Sequence, residues 1–166
     1  KFHPDQILEI GAVLPNYFSY RHLVIDKYEP GNRIDNVDII DFSTSKRYSL
    51  IIAISTLEHI GFDEIPRDEE KVIRAVEVIK HHLTDNGLFV ATIPVGYNKS
   101  LDKLIIDEVL FDKHYYLERV SANNTWIQTS KHNAMQRSFD NPYPFGNSLV
   151  IGLIGDSDYF ISNLAQ

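Results

Sequence analysis

Six short runs of aliphatic, largely β-branched residues punctuate the chain: residues 7–10 (ILEI), 23–25 (LVI), 37–40 (VDII), 50–54 (LIIAI), 88–93 (LFVATI) and 149–154 (LVIGLI). Several are apolar at nearly every position rather than at alternate ones. Strands buried on both faces read this way, which points to a largely parallel sheet covered by helices. The clearest helix pattern, over residues 68–83, lies between the fourth and fifth runs. There Val72, Val76, Ile79 and Leu83 form one apolar stripe. Asp68, Glu69 and Glu70 fall in its first turn and Lys80, His81 and His82 in its last, both complementing the helix dipole. Asn86-Gly87 is expected to supply a left-handed stop before the next strand. Strand, helix and strand together define an α/β unit.

A weaker helix follows Ser100, with Leu101, Leu104, Ile105 and Val109 on one side. Residues 115–128 read as an extended strand with an interruption at Asn123-Asn124. A polar stretch, 129–147, precedes the last strand at 148–155. No repeat or linker divides the sequence, so residues 1–166 are expected to form a single domain. The chain opens at Lys1 with a strand pattern under way by Ile7, and an N-terminal helix is expected to be missing.

Composition narrows the partners. A formal charge of −7, with no local Lys/Arg cluster, disfavours a binder of nucleic-acid phosphates. The chain has no cysteine, which removes disulfides, thiolate nucleophiles and cysteine-ligated metals. No apolar run approaches the roughly 20 residues of a membrane span, and no secretory signal is visible. A cytoplasmic location is therefore expected.

In open parallel sheets, ligands bind beyond the carboxyl ends of the strands, where the strand order reverses. The residues following successive runs are Glu9-Ile10-Gly11, Asp26-Lys27, Asp41-Phe42, then Ser55-Thr56-Leu57-Glu58-His59, then Pro94-Val95-Gly96-Tyr97. Acids at successive strand ends suit a ligand carrying an amine and a ribose, because a carboxylate accepts two hydrogen bonds from a diol.

ILEIG, VIDK, DIIDF, YSLIIAISTLEHI and LTDNGLFVATIP, in that order, resemble the motif series of class I S-adenosylmethionine (SAM) dependent methyltransferases, in their small-molecule branch. No single motif is decisive; the order and spacing of five carry the resemblance, from about Gln6 to Tyr97. It implies a doubly wound, mostly parallel seven-stranded sheet of the Rossmann-like methyltransferase type with the last strand antiparallel. It implies SAM as cofactor and a small-molecule acceptor: a hydroxyl or amine on a sugar, lipid or metabolite. Glu9 and Gly11 would lie against the methionine part of SAM, and Asp26 would bind the ribose hydroxyls with Lys27 beside the adenine. Asp41 would accept from the adenine amino group, Phe42 would pack on the ring, and Ser55 and Thr56 would line the methionine side.

Two features depart from the family. Its E-x-G-x-G-x-G reads here as Glu9-Ile10-Gly11-Ala12-Val13-Leu14-Pro15, with Val13 and Pro15 in place of glycines that let backbone and ligand approach closely. Residues 12–22 also leave room for only a very short first helix. A methyltransferase-like binding or scaffold protein without activity is thus the alternative. A nicotinamide enzyme is disfavoured, because no G-x-G-x-x-G follows the first strand.

His59 and Glu58 are the candidate bases, His59 first because an imidazole titrates near neutrality; the competing reading is that His59 caps the following loop. His114 and His132 lack metal-ligand spacing. Tyr17, Tyr20 and Tyr97 are candidate ring contacts to a sulfonium. Residues 141–146 (NPYPFG) form either a lid or a packed turn.

Overall fold

The computed structural model describes residues 2–157. The fully apolar runs form the centre of an eight-stranded sheet. β1 (Ile7–Ile10), β2 (Leu23–Ile25), β3 (Ile34–Asp35), β4 (Tyr48–Ile54), β5 (Leu83–Pro94), β6 (Lys113–Arg119), β7 (Trp126–Thr129) and β8 (Ser148–Gly155) lie in the order β3-β2-β1-β4-β5-β8-β6-β7. The pairings from β3 through β5 are parallel, while β8 enters antiparallel between β5 and β6. This is a Rossmann-like methyltransferase arrangement, with the last strand antiparallel as the sequence implies.

The strand count differs from seven because residues 115–128 are a hairpin. The interruption at Asn123-Asn124 is its turn, with Asn124 at φ 56°, and β6 pairs antiparallel with β7.

The third apolar run is not a strand. The ladder on β2 is made by Ile34 and Asp35, and residues 39–41 form a turn. Pairing beside a three-residue strand leaves little ladder to extend, so residues 37–40 spend their apolar side chains on the core edge instead, with Ile39 buried.

Three helices are present among the described residues: α1 (Lys71–His81), α2 (Lys99–Ile106) and α3 (Lys131–Met135). The acids at 68–70 precede α1, with Glu70 as its N-cap, so they do not form its first turn. α1 ends at His82 with φ −91°, and neither Asn86 nor Gly87 is left-handed. Both lie within β5, at an irregularity where the register passes from Tyr48–Leu83 to Leu50–Leu88. Gly87 is needed there because a Cβ would meet the Thr84 and Tyr48 carbonyl oxygens at 2.9 and 3.0 Å. Asn98 caps α2, its Oδ1 accepting from the Ser100 and Leu101 amides. Leu101 and Ile105 are buried, whereas Val109 falls beyond the helix and is exposed.

Successive strand side chains point to opposite faces. Ile51, Ala53, Phe89, Ala91, Ile93 and Val150 are buried in one cluster with Val76, Ile79, Leu101, Ile105 and Ala134 from the helices. The alternate residues Leu50, Ile52, Ile54, Val90, Thr92, Leu149 and Ile151 are only half-buried. The helices therefore sheath one face, and the cleft opens at the carboxyl edge. Among the described residues no helix is long and apolar enough to cross a membrane.

Candidate functional site

A cleft of about 410 Å³ lies at the carboxyl ends of β1, β2 and β4. It is built where β1 sits at the centre of the reversing strand order, the position at which such sheets take ligands.

Its floor is Gly11, at φ +83°, which packs so closely on the β4 turn that a Cβ would lie 2.2 Å from Thr56 Oγ1. Glycine alone fits this turn. Val13, in contrast, has φ −92° and ψ −53°, a region open to β-branched residues, and Pro15 sits in the first turn of the 3₁₀ helix Leu14–Asn16. That single turn replaces the first crossover helix. The two lost glycines therefore cost the backbone nothing here.

Glu9 is placed beneath the turn and does not line the cleft. Its side chain is wholly buried. Oε1 accepts from the Val13 and Leu14 amides at 3.1 and 2.8 Å, and Oε2 lies 2.7 Å from His22 Nε2. It shapes the loop rather than facing a ligand.

Asp26 does line the cleft and ties two turns together. Oδ2 accepts from the Ala12 amide at 2.8 Å, and Oδ1 accepts from the Tyr28 and Glu29 amides, both at 2.8 Å. A carboxylate offers about four lone-pair sites, so Asp26 keeps acceptor capacity toward the cleft.

Lys27 also lines the cleft and is held by Glu64 at 2.6 Å and Asp38 at 3.1 Å. Lys71, the first residue of α1, binds the same two carboxylates, at 2.5 Å to Asp38 and 2.6 Å to Glu64. The Glu64 hydrogen bond is the chief cause raising the Lys27 pKa, with burial opposing it and Asp38 adding to it. Partial burial works against ionisation of Asp38 and Glu64, and the two lysines outweigh it, holding both carboxyls below their ordinary range.

Asp41 and Phe42 are not at the site. Asp41 is exposed in the turn, and Phe42 packs edge-on against His82 at 5.1 Å. Because the third strand ends at Asp35, Asp38 and Ile39 occupy the cleft wall instead. The signal was present in the sequence: Asp38 accepts from the Ile40 amide two residues on, the side-chain turn that Asp favours.

Ser55, at φ 45°, and Thr56, whose hydroxyl donates to the Ile54 carbonyl at 3.0 Å, line the far wall. His59 reaches the rim. Its Nδ1 lies 2.5 Å from Asp63 Oδ2, and its ring packs edge-on against Tyr97 at 4.9 Å. Glu58 does not line the cleft and is 1% exposed. Its Oε2 has no hydrogen-bond partner among the described residues, and burial pushes its carboxyl up to about 8. With its carboxyl raised by burial, Glu58 is weighted toward the neutral acid at neutral pH.

Tyr17, Tyr20 and Tyr97 do not line the cleft; the tyrosine that does is Tyr28, adjoining Glu29. Residues 141–146 form a largely exposed turn held at Tyr143 and Asn147, and they do not line the cleft. Arg119 stacks on Tyr143 at 4.9 Å and donates to the Pro144 carbonyl at 2.8 Å, while Asn147 Nδ2 donates to the Tyr143 carbonyl at 2.7 Å. Asp26, Glu29, Asp38, Glu64 and Lys27 line the cleft, and Lys71 pairs with Asp38 and Glu64 beside it.

No family model matches the sequence, and no curated protein matches it. Solved structures do. The chain is similar to the N-methyltransferase NodS from Bradyrhizobium japonicum WM9 in complex with S-adenosyl-L-homocysteine, at 17% identity over 89% of this chain and 75% of that one, with a TM-score of 0.51. NodS in another structure gives 17% identity over 89% and 83%, again with a TM-score of 0.51. The plantazolicin methyltransferase BpumL in complex with SAH gives 13% identity over 90% and 75%, with a TM-score of 0.50. The fold is that of the class I methyltransferases.

Proposed function

We propose that this chain binds SAM and transfers its methyl group to a small-molecule acceptor, a hydroxyl or an amine. The observation that carries the reading is the cleft: Gly11, Asp26, Asp38, Thr56 and His59 converge at the one sheet edge where this fold takes nucleoside ligands. The fold neighbours NodS and BpumL, both solved with the demethylated cofactor, support the choice of ligand.

The residues fit such a molecule. Gly11 lines the cleft in a left-handed turn packed on Thr56, where no Cβ fits. Asp26 has about one lone-pair site left, on Oδ2, for a ribose hydroxyl. Asp38 and Ile39 take the adenine end in place of Asp41 and Phe42, with Lys27 flanking. Ser55 and Thr56 take the methionine end. SAM supplies an electrophilic methyl on a sulfonium. The protein's part is to align the acceptor with that carbon and exclude water, and His59 accepts the acceptor's proton at the rim. Glu58, buried and weighted toward the neutral acid, does not share that task.

The test is calorimetric titration of wild type and Asp26→Asn with SAM. The Asn amide would set an N–H against the Ala12 N–H and pull the two turns apart, so affinity should drop more than about tenfold. Equal affinity in the two proteins would remove Asp26 from the site.

A second reading, a binding protein of the same fold without activity, draws on the engagement of Asp26 by three backbone amides. SAM binding without methyl transfer to any of a broad panel of hydroxyls and amines would favour it.

A further inference from the structure

We propose that Asp63 is the positioning residue of this site, fixing the His59 imidazole with its proton on Nδ1 so that the Nε2 lone pair is free to take a proton from the methyl acceptor. The inference rests on reading the cleft as a methyl-transfer site, and it adds a residue that no motif of the sequence picked out.

His59 and Asp63 are joined by one turn of chain, the Asp63 amide donating to the His59 carbonyl at 3.1 Å. Through it, Asp63 Oδ2 comes within 2.5 Å of His59 Nδ1. The same oxygen accepts from Tyr97 Oη at 2.8 Å. Tyr97 arrives from the loop between β5 and α2, on which Gly96, at φ +89°, donates its amide to Asp102 Oδ2 at 2.9 Å. The Tyr97 ring is packed on Phe139 at 5.1 Å and Phe62 at 5.7 Å as well as on His59. The imidazole is thus held by a carboxylate along one edge and an anchored ring along another.

An ionised carboxylate only accepts hydrogen bonds. Partial burial works against the Asp63 charge, but the hydrogen bonds from His59 and Tyr97 outweigh it and keep the carboxyl below its ordinary range. Nδ1 must then donate, and in a neutral imidazole Nε2 carries the lone pair. Glu58 Oε1, 3.8 Å from Nε2, is too far for a hydrogen bond, so that lone pair has no protein donor among the described residues.

The step balances. The acceptor's proton passes to Nε2 as its lone pair forms the bond to the methyl carbon, and the carbon–sulfur bond breaks with its electron pair going to sulfur. The Asp63 carboxylate then faces the imidazolium.

The experiment is a long-range proton–nitrogen correlation spectrum of the histidine rings in ¹⁵N-labelled full chain, with His59→Gln assigning the peak. His59 should show a protonated Nδ1 and an unprotonated Nε2 in wild type. In Asp63→Ala, which leaves Nδ1 no carboxylate to donate to, it should shift toward the opposite tautomer, while SAM affinity stays within about twofold. A wild-type His59 protonated on Nε2, or an unchanged pattern in Asp63→Ala, overturns the proposal. The wild-type spectrum decides even if the variant fails to fold. SAM titration of the wild type stands apart: its failure would sink the methyltransferase reading without altering the tautomer result.

Discussion

Gly11 and Val13 show what one backbone angle decides. At φ +83° and in contact with Thr56, Gly11 has no substitute; at φ −92°, Val13 needs none. Gly11→Ala should destabilise the protein by roughly 1–3 kcal/mol in denaturant unfolding and should abolish SAM binding, whereas Val13→Gly should cost only about 1 kcal/mol and leave SAM binding in place. Glu58 gives a second residue-scale prediction. Its carboxyl lies at about 8 in the folded protein against an ordinary 4.5, so the fold holds an extra proton between those values. Stability from this group is complete at low pH and is lost as pH rises toward about 8. Glu58→Gln should flatten that part of the stability–pH curve, making the variant relatively more stable at pH 8 than at pH 5, as read by thermal unfolding. A steeper fall in the variant would contradict this origin. Neither property was legible in the sequence. Glu9, Glu58 and Asp26 are all acids near strand ends, and only their side-chain directions separate a buried brace, a neutral acid and a cleft wall.

At the scale of elements, the cleft depends on loops pinned by charge. Lys71, at the start of α1, and Lys27, after β2, share Asp38 and Glu64. Removing the better buried cation leaves two partly buried carboxylates sharing one exposed lysine. Lys71→Met should therefore cost on the order of 3 kcal/mol in denaturant unfolding and weaken SAM binding, since Asp38 forms the cleft wall. Lys27→Met, whose side chain is more exposed, should cost less. The continuous apolar runs were readable: β1, β2, β4 and β8, with the stripe of α1, carry patterns that a neighbour cannot easily override. Shorter ones were not. β3 is two residues long, and nothing local distinguishes Ile34-Asp35 from the more apolar 37–40. Asn86-Gly87 carries the signal of a helix stop, yet close approach of the Tyr48 and Thr84 carbonyls draws it into β5 instead.

For the whole molecule, the order of motifs conveyed more than any one of them. A largely parallel sheet follows from runs whose positions are nearly all apolar, the antiparallel last strand was implied by the family resemblance, and the cleft's location follows from the sheet. Which side chains enter it depends on turn geometry, which is why Asp38 stands where Asp41 was expected and why Asp63 escaped notice. The half-buried face from Leu50 to Ile151 is a further property of the whole sheet that no single run announces. The account as a whole requires that the cleft hold SAM. Isothermal titration of the wild-type chain should show saturable, one-to-one binding with Kd below about 100 μM, displaced by S-adenosylhomocysteine. Absence of binding at about 1 mM ligand, in protein shown to be folded, would contradict it.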